Sequence, residues 1–94
     1  MSTEHAFVFC YDVSGDRARA KIAEMLEKHL VRVQKSVFEG RMTHRKAQKI
    51  AESISVQLGP GDSLRIYALT NQALDLSFSV GGAPMPEKNN FLLF

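Results

Sequence analysis

The first apolar run of the chain, residues 6–11, is short and rich in aromatic and β-branched side chains. A run of this length and composition predicts a central strand buried on both faces rather than a helix. Asp12 and Val13 close the strand, and residues 14–16, with the sequence Ser-Gly-Asp, supply turn and N-cap chemistry. We therefore expect a strand, a tight turn and then the start of a helix.

Two segments carry apolar residues at helical spacing. The first covers about residues 17–29, and its stripe consists of Ile22, Met25, Leu26 and Leu30. The second is capped by Thr43 and runs to about Val56. Its stripe consists of Ala47, Ile50, Ala51, Ile54 and Leu58. Residues 59–61, Gly-Pro-Gly, end this second helix.

Three further segments alternate in the manner of strands. Residues 31–40 contain a break in the apolar parity at Lys35, which favours a turn or bulge near Lys35 and Ser36 that splits the run into a hairpin. Residues 62–69 predict another strand. Residues 74–80 alternate most cleanly, with apolar side chains at every second position, and predict a last strand.

This order of elements indicates an α+β sandwich, a mostly antiparallel sheet with both helices on one face. With the hairpin, the order β-α-β-β-α-β matches the ferredoxin-like unit, and the strand over residues 74–80 is then an extra C-terminal strand. We expect residues 1–80 to form a single domain. The apolar tail within residues 81–94 would dock with the last strand on a second copy of the chain; the alternative is a tail that folds back on its own sheet.

The composition of the 94-residue chain excludes several classes of protein. No apolar run approaches the roughly 20 residues of a membrane span, and the first residues lack the layout of a signal peptide. The single cysteine, Cys10, cannot form an internal disulfide, and no cluster of cysteine and histidine offers a zinc site. We expect a cytoplasmic protein.

Charge is segregated along the chain although the net charge is only +2. Residues 17–49 hold ten of the twelve basic residues and only three acids, which gives this segment a net charge of +7. A solvated face is the ordinary explanation of such a run. Because these bases span two predicted helices and the hairpin between them, the fold could instead gather them on one side, which favours an anionic partner, with nucleic acid first.

The strongest candidate for chemistry is Asp12, at the end of the first strand and beside Arg17 and Arg19. A turn or cap acceptor is the structural alternative for this carboxylate. One carboxylate makes no convincing metal site, but two copies of Asp12 meeting across a two-fold axis could hold Mg²⁺. Parity places Arg32 on one strand face with Gln34, Ser36 and Phe38. This mixture of side chains is suited to binding backbone phosphates and a stacked base. The alternative is a sheet face of mixed polarity that another subunit covers.

Three strings, YDVSGDRARAKIAEML, LVRVQKSVFEG and GDSLRIYAL, resemble the small CRISPR-associated adaptation protein, the smaller of the two spacer-acquisition proteins. The resemblance implies a ferredoxin-like homodimer with a divalent ion, Mg²⁺ or Mn²⁺, between paired aspartates at Asp12. It further implies a metal-dependent endonuclease acting on single-stranded RNA or duplex DNA, and a dimer that bridges copies of a larger integrase and holds DNA. The matching site positions are Tyr11, Asp12, Arg17, Arg19, Arg32, Ser36 and Phe38.

Two functions are therefore expected together: a DNA-binding scaffold in spacer acquisition and integration, and metal-dependent cleavage at Asp12. A stand-alone RNA-cleaving toxin or a small-ligand regulatory module on the same fold is the alternative, because a fold by itself does not determine function. Residues 81–94 match no string of the family, so the resemblance leaves the integrase contact undefined.

Overall fold

A computed structural model of the chain describes residues 3–85. Its elements are β1 (Glu4–Asp12), α1 (Asp16–Glu27), β2 (Val31–Gln34), β3 (Val37–Thr43), α2 (His44–Ser55), β4 (Ser63–Leu69) and α3 (Asn71–Leu76). The four strands form one antiparallel sheet in the order β2-β3-β1-β4. The predicted ferredoxin-like arrangement is confirmed, with β1 inside the sheet. None of the helices within the described residues is long and apolar enough to cross a membrane.

Both long helices cover the same face of the sheet, as predicted. The odd-numbered side chains Phe7, Phe9 and Tyr11 of β1 point into the main core. They meet Phe38 and Met42 of β3 there, together with buried residues of both helices: Ile22, Ala23, Leu26, Ala47, Ile50 and Ile54. The two periodicities of the sequence, two in strands and 3.6 in helices, thus bury one common apolar surface.

The hairpin predicted at Lys35 and Ser36 is confirmed, with those two residues forming the turn between β2 and β3. The register shifts between Arg32 and Gln34, because Arg32 pairs with Phe38 whereas Gln34 pairs with Val37. A bulge of this kind places an extra residue in one strand and turns its side chains relative to the partner strand. Arg32 stays on the Phe38 side of the sheet, whereas Gln34 lies on the other side with Val37 and Glu39, so the predicted shared face is wrong for Gln34.

Gly40 allows β3 and the segment after α1 to approach each other closely. A methyl group added to this glycine would lie 3.1 Å from Leu30 Cδ2 and 3.3 Å from the carbonyl oxygen of His29. The glycine of the string SVFEG is therefore required by packing of the segment after α1 against the sheet. Its backbone needs no unusual torsion, since no positive φ is recorded there.

The strand predicted over residues 74–80 is wrong for residues 74–76, which belong to α3. Residues 77–80 are not helical and pair with no strand within residues 3–85 of the same chain. Thr70 begins this helix, because its hydroxyl accepts a hydrogen bond from the backbone N–H of Ala73 at 3.1 Å. Leu74 is buried against Ala6 and Leu69, and a single helical turn satisfies that contact. The predicted docking of the tail, residues 86–94, lies outside the described residues.

Candidate functional site

Asp12 is the last residue of β1 and pairs with Ser63 at the start of β4. Its side chain is exposed, whereas the neighbours Tyr11 and Val13 are buried at 6% and 5% exposure. Within residues 3–85 the Asp12 carboxylate makes no hydrogen bond or ion pair with the chain. A carboxylate anchored on both sides by buried neighbours, and without an internal partner, is available to an external ligand.

A second carboxylate fixes the loop that follows Asp12. Asp62 accepts hydrogen bonds from the backbone N–H of Ser14 at 3.1 Å and from the Ser14 hydroxyl at 3.4 Å. Its other oxygen accepts from the backbone N–H of Gly59 at 2.8 Å. The hydrogen bonds from Gly59 and then Ser14 lower the pKa of Asp62, since they favour the charged carboxylate. Asp62 thus connects the β1–α1 loop to the turn before β4.

The backbone carbonyl of Lys35 binds two of the predicted site residues. The Tyr11 hydroxyl donates a hydrogen bond to this oxygen at 3.3 Å. Arg32 donates two hydrogen bonds to it, from Nε at 3.1 Å and from Nη2 at 2.6 Å. The Arg32 guanidinium also lies over the Phe38 ring, 5.4 Å from its centroid. Tyr11 and Arg32 therefore hold the hairpin turn against the end of β1.

The two arginines at the start of α1 differ in their contacts. Arg19 donates to the carbonyl oxygens of Val13 and Ser14 at 3.1 and 3.3 Å and forms an ion pair with Asp16. Arg17 is exposed and makes no such contact within the part of the chain that is described. Arg19 therefore braces the loop, whereas the Arg17 guanidinium is open to a ligand.

The remaining predicted site residues also separate into accessible and buried groups. Ser36 lies half-buried in the hairpin turn, and its carbonyl accepts the Tyr11 backbone N–H at 3.1 Å. Phe38 is 0% exposed in the main core, so its ring is covered by protein on both faces. We call the region formed by residues 12–17, 35–36 and 62–63 the Asp12 end of the sheet.

Sequence reasoning missed Asp62, which it placed only at the beginning of a strand. The signal was the string Gly-Pro-Gly-Asp, in which an aspartate follows a tight turn and is free to accept backbone N–H groups. The predicted N-cap chemistry of residues 14–16 also differs. The N-cap of α1 is Gly15, which has no side chain to accept a backbone N–H of the helix, and the Ser14 hydroxyl donates to Asp62.

One copy of the chain offers a single carboxylate for a metal ion at the Asp12 end. No group of three or more histidine, cysteine, aspartate or glutamate side chains that could hold a metal occurs among residues 3–85. Asp62 is committed to Ser14 and Gly59, and Asp16 to Arg19. Mg²⁺ binds through one or two carboxylates and keeps several waters, so the donor set fits this ion when a second Asp12 is supplied by another copy.

The opposite face of the sheet, away from α1 and α2, carries Glu39 on β3. Glu39 pairs with Val8 of β1 and Val31 of β2 and is half-buried between apolar neighbours. Burial raises the pKa of its carboxyl, because desolvation disfavours the charged form. With Val33, Gln34 and Val37 it lines one wall of an open cavity of about 550 Å³, and the other wall is formed by residues 78–85.

The arrangement defines a class of protein: a ferredoxin-like sandwich with an unpartnered carboxylate at the end of its first strand and an excess of basic side chains. Within that class, the model of the family described as CRISPR associated protein Cas2 matches residues 5–75. The chain belongs to this family, and the resemblance found in the sequence is confirmed.

Relatives with described names share most of the chain. It is 34% identical over 73 residues to "CRISPR-associated endoribonuclease Cas2" of Korarchaeum cryptofilum, covering 76% of this chain and 78% of that protein. It is 34% identical over 82 residues to "CRISPR-associated endonuclease Cas2 2" of Thermus thermophilus, covering 86% and 87%. A chain in a solved structure described as a partial Cas6-RT-Cas1–Cas2 complex is 30% identical, with a TM-score of 0.68 and coverage of 86% and 96%.

Proposed function

We propose that this chain acts in CRISPR adaptation as a dimeric subunit that holds DNA during spacer acquisition, and that it cleaves phosphodiester bonds in a metal-dependent reaction at Asp12. Membership of the Cas2 family supports the first part. The names of the relatives, endoribonuclease and endonuclease, support the second. The similar chain in a Cas1–Cas2 complex supports a larger integrase subunit as partner.

The observation that carries the proposal is the state of the Asp12 carboxylate. It is exposed, it has no partner within the described residues, and the backbone on both sides of it is fixed. Buried Tyr11 and Val13 flank it, and Asp62 holds Ser14. A structural aspartate at a turn usually accepts backbone N–H groups, as Asp62 does; Asp12 does not.

The carboxylates of two Asp12 residues, one from each copy, would hold Mg²⁺ or Mn²⁺ between them. When bound, such an ion polarises a phosphodiester oxygen and lowers the pKa of a coordinated water. The part played by the chain is to keep each carboxylate in place. Tyr11, immediately before Asp12, donates to the Lys35 carbonyl oxygen in the hairpin turn, and Arg19 donates to the Val13 carbonyl oxygen immediately after it.

A second copy of the chain is also supported by the end of α3 and the segment that follows it. Leu76, Phe78 and Val80 are exposed at 77%, 83% and 90% and follow one another at every second position. Covering each side chain would contribute roughly 1.5–3 kcal/mol. In the single chain residues 78–80 line the open cavity beside Glu39. In the proposed dimer residues 77–80 would instead lie on the partner, residues 1–80 would form the domain, and residues 81–94 would follow them onto that surface.

For nucleic acid at the Asp12 end, we propose direct contacts from Arg17 and Ser36, whose side chains make no hydrogen bond or ion pair within residues 3–85. Tyr11, Arg19, Arg32 and Phe38 would act by positioning the loop and the hairpin turn, since their polar atoms and rings contact the protein itself. The substrate is single-stranded RNA or duplex DNA, as the names of the relatives allow.

The test compares Asp12→Asn with Asp16→Asn, which removes the same charge four residues away at an exposed, ion-paired position. Each protein is incubated with single-stranded RNA and with duplex DNA, with Mg²⁺ or with a chelator, and its size is measured by gel filtration. We expect cleavage that requires Mg²⁺ in the wild type and in Asp16→Asn, and none in Asp12→Asn. All three proteins should elute as dimers and bind DNA.

Equal cleavage by Asp12→Asn and the wild type would exclude the Asp12 site. A chain that stays monomeric at micromolar concentration would exclude the paired-carboxylate arrangement. DNA binding that is absent at low salt would exclude the scaffold role, whatever the result of the cleavage assay.

A further inference from the structure

Three basic side chains, Arg45, Lys46 and Lys49, occupy the exposed side of α2, and we call them the α2 basic face. All three are exposed, while Ala47 and Ile50 between them are buried against the sheet. Arg45 and Lys49 lie one helical turn apart, so their side chains are neighbours on the helix surface. Within residues 3–85 none of the three forms an ion pair or a side-chain hydrogen bond.

Three other basic residues in the described part of the chain form ion pairs. Arg19 pairs with Asp16, Lys21 lies 3.8 Å from Glu24, and Arg41 lies 3.8 Å from Glu4. The acidic residue on α2, Glu52, forms no ion pair with the basic face in the described structure. The α2 basic face therefore concentrates three positive charges that the fold leaves uncompensated.

The positions of these charges are unfavourable for the helix itself. The first turn of α2 contains no acidic residue and holds Arg45 and Lys46, although the N-terminal end of a helix favours negative charge. Like charges four residues apart, such as Arg45 and Lys49, also repel each other. Helix stability thus gives no reason for this arrangement, whereas an anionic partner does.

The α2 basic face is separate from the Asp12 end. Thr43, immediately before α2, pairs with Glu4 at the beginning of β1, and Asp12 is at the other end of the same strand. A strand of nine residues spans about 26 Å. A phosphate bound at the first turns of α2 would consequently lie far from any bond positioned at Asp12.

We propose that the α2 basic face binds the sugar-phosphate backbone of a DNA duplex, as a contact surface distinct from the Asp12 end. This inference rests on the proposed DNA-holding function and assigns a surface to it. The helix carries no phenylalanine, tyrosine or tryptophan on which an unpaired base could stack, and binding of single strands commonly depends on such stacking. Contacts of lysine and arginine to phosphates are independent of sequence and strongly salt-dependent.

The experiment measures the salt dependence of binding to a duplex of mixed sequence, in chelator so that no cleavage proceeds. The test variant is Arg45→Gln with Lys49→Gln. The matched control is Lys21→Gln with Lys28→Gln, which removes the same charge from exposed positions on α1 and at its C-cap. We expect the slope of log affinity against log salt to fall by about 2 in the test variant and by clearly less in the control. A second variant, Arg45→Lys with Lys49→Arg, keeps the charge and should keep the wild-type slope.

Thermal unfolding accompanies each measurement. The test variant should melt at or above the wild-type temperature, because it removes unfavourable charge from α2. An unchanged slope, or equal losses in the test and control variants, would overturn the inference while leaving the proposed function intact. Tighter binding of a single strand of the same length would overturn the duplex assignment. A wild type that binds no DNA would remove the proposed function and this inference together.

Discussion

The carboxylate of Asp62 accepts the backbone N–H of Ser14 at 3.1 Å, joining two loops that are 48 positions apart in sequence. Ser14 stands two residues after Asp12, and Asp62 immediately precedes Ser63, the strand partner of Asp12. Asp62 thus links the backbone that follows Asp12 to the strand that pairs with it. Its role is positional, because its own oxygens are occupied by Ser14 and Gly59.

Replacing Asp62 with Asn should weaken its hydrogen bonds with the backbone of Ser14 and Gly59. The neutral amide accepts hydrogen bonds more weakly and through one oxygen only, so amide hydrogen exchange should accelerate at Ser14 and Gly59. Asp16→Asn is the control, since its side chain contacts Arg19 and not these amides. Unchanged exchange at both amides in Asp62→Asn would contradict the positional role.

The same carboxylate predicts a direction of pH dependence. Its pKa is lowered from 3.8 by the hydrogen bonds from Gly59 and Ser14, so its stabilising effect is fully present above the unfolded pKa. The effect is lost as the pH falls through the folded pKa. Urea unfolding of the wild type and Asp62→Asn should therefore show a stability difference at pH 6 that shrinks toward about pH 2. A difference that grows on acidification would contradict this assignment.

Glu39 predicts the opposite dependence. Burial raises its pKa above 4.5, so the native state favours the protonated carboxyl and loses stability as the pH rises through the folded pKa. Glu39→Gln should therefore be more stable than the wild type at pH 7, and the advantage should disappear below about pH 4. Glu27→Gln, at an exposed position of α1, controls for the general loss of a negative charge. Equal effects of the two substitutions at pH 7 would contradict the burial argument.

Gly40→Ala tests the close packing of β3 against the chain after α1. The new methyl group would meet Leu30 Cδ2 at 3.1 Å and the His29 carbonyl oxygen at 3.3 Å. The leucine side chain can turn away but the backbone oxygen cannot, so we expect a loss of about 1–3 kcal/mol in the free energy of unfolding. Gly15→Ala, whose methyl group would meet only Ala18 Cβ at 3.9 Å, is the control for the loss of a glycine. Comparable losses in the two variants would exclude the steric explanation.

The sequence predicted most of the fold because its apolar periodicities are local and unambiguous. The stripe of Ile22 and Leu26 and the cap at Thr43 required only neighbouring residues, and both are confirmed. The same local rule failed at Leu74, where alternation suggested a strand. A cap four residues earlier, at Thr70, and burial against Ala6 on a distant strand favour one helical turn instead.

The candidate site was harder to predict, because it depends on hydrogen bonds between residues distant in sequence. The position of Asp12 follows from the end of an apolar run. The partner of its loop, Asp62, lies beyond two helices and a hairpin, and no spacing rule connects them. Parity placed Arg32, Gln34 and Phe38 on one accessible face, but the helices cover the Phe38 ring and the bulge in β2 turns Gln34 to the other face. Parity specifies alternation and not which face is covered.

Tyr11 and Arg32 share one acceptor, the Lys35 carbonyl oxygen, and their effects should therefore be coupled. Tyr11→Phe removes one hydrogen bond, at a cost of about 0.5–1.5 kcal/mol in the free energy of unfolding. Arg32→Gln removes two hydrogen bonds and the contact with the Phe38 ring, which contributes about 0.5–1 kcal/mol at an exposed site.

The double variant should lose more than the sum of the two single losses, because the first substitution leaves the carbonyl one remaining partner and the second leaves it none. Arg17→Gln, at an exposed arginine without a partner in residues 3–85, should leave stability unchanged while weakening binding of nucleic acid. Strict additivity in the Tyr11 and Arg32 cycle would mean that water replaces each lost donor independently. A loss of stability in Arg17→Gln equal to that in Arg32→Gln would remove the distinction between the two arginines on which the assignment of accessible and positioning residues rests.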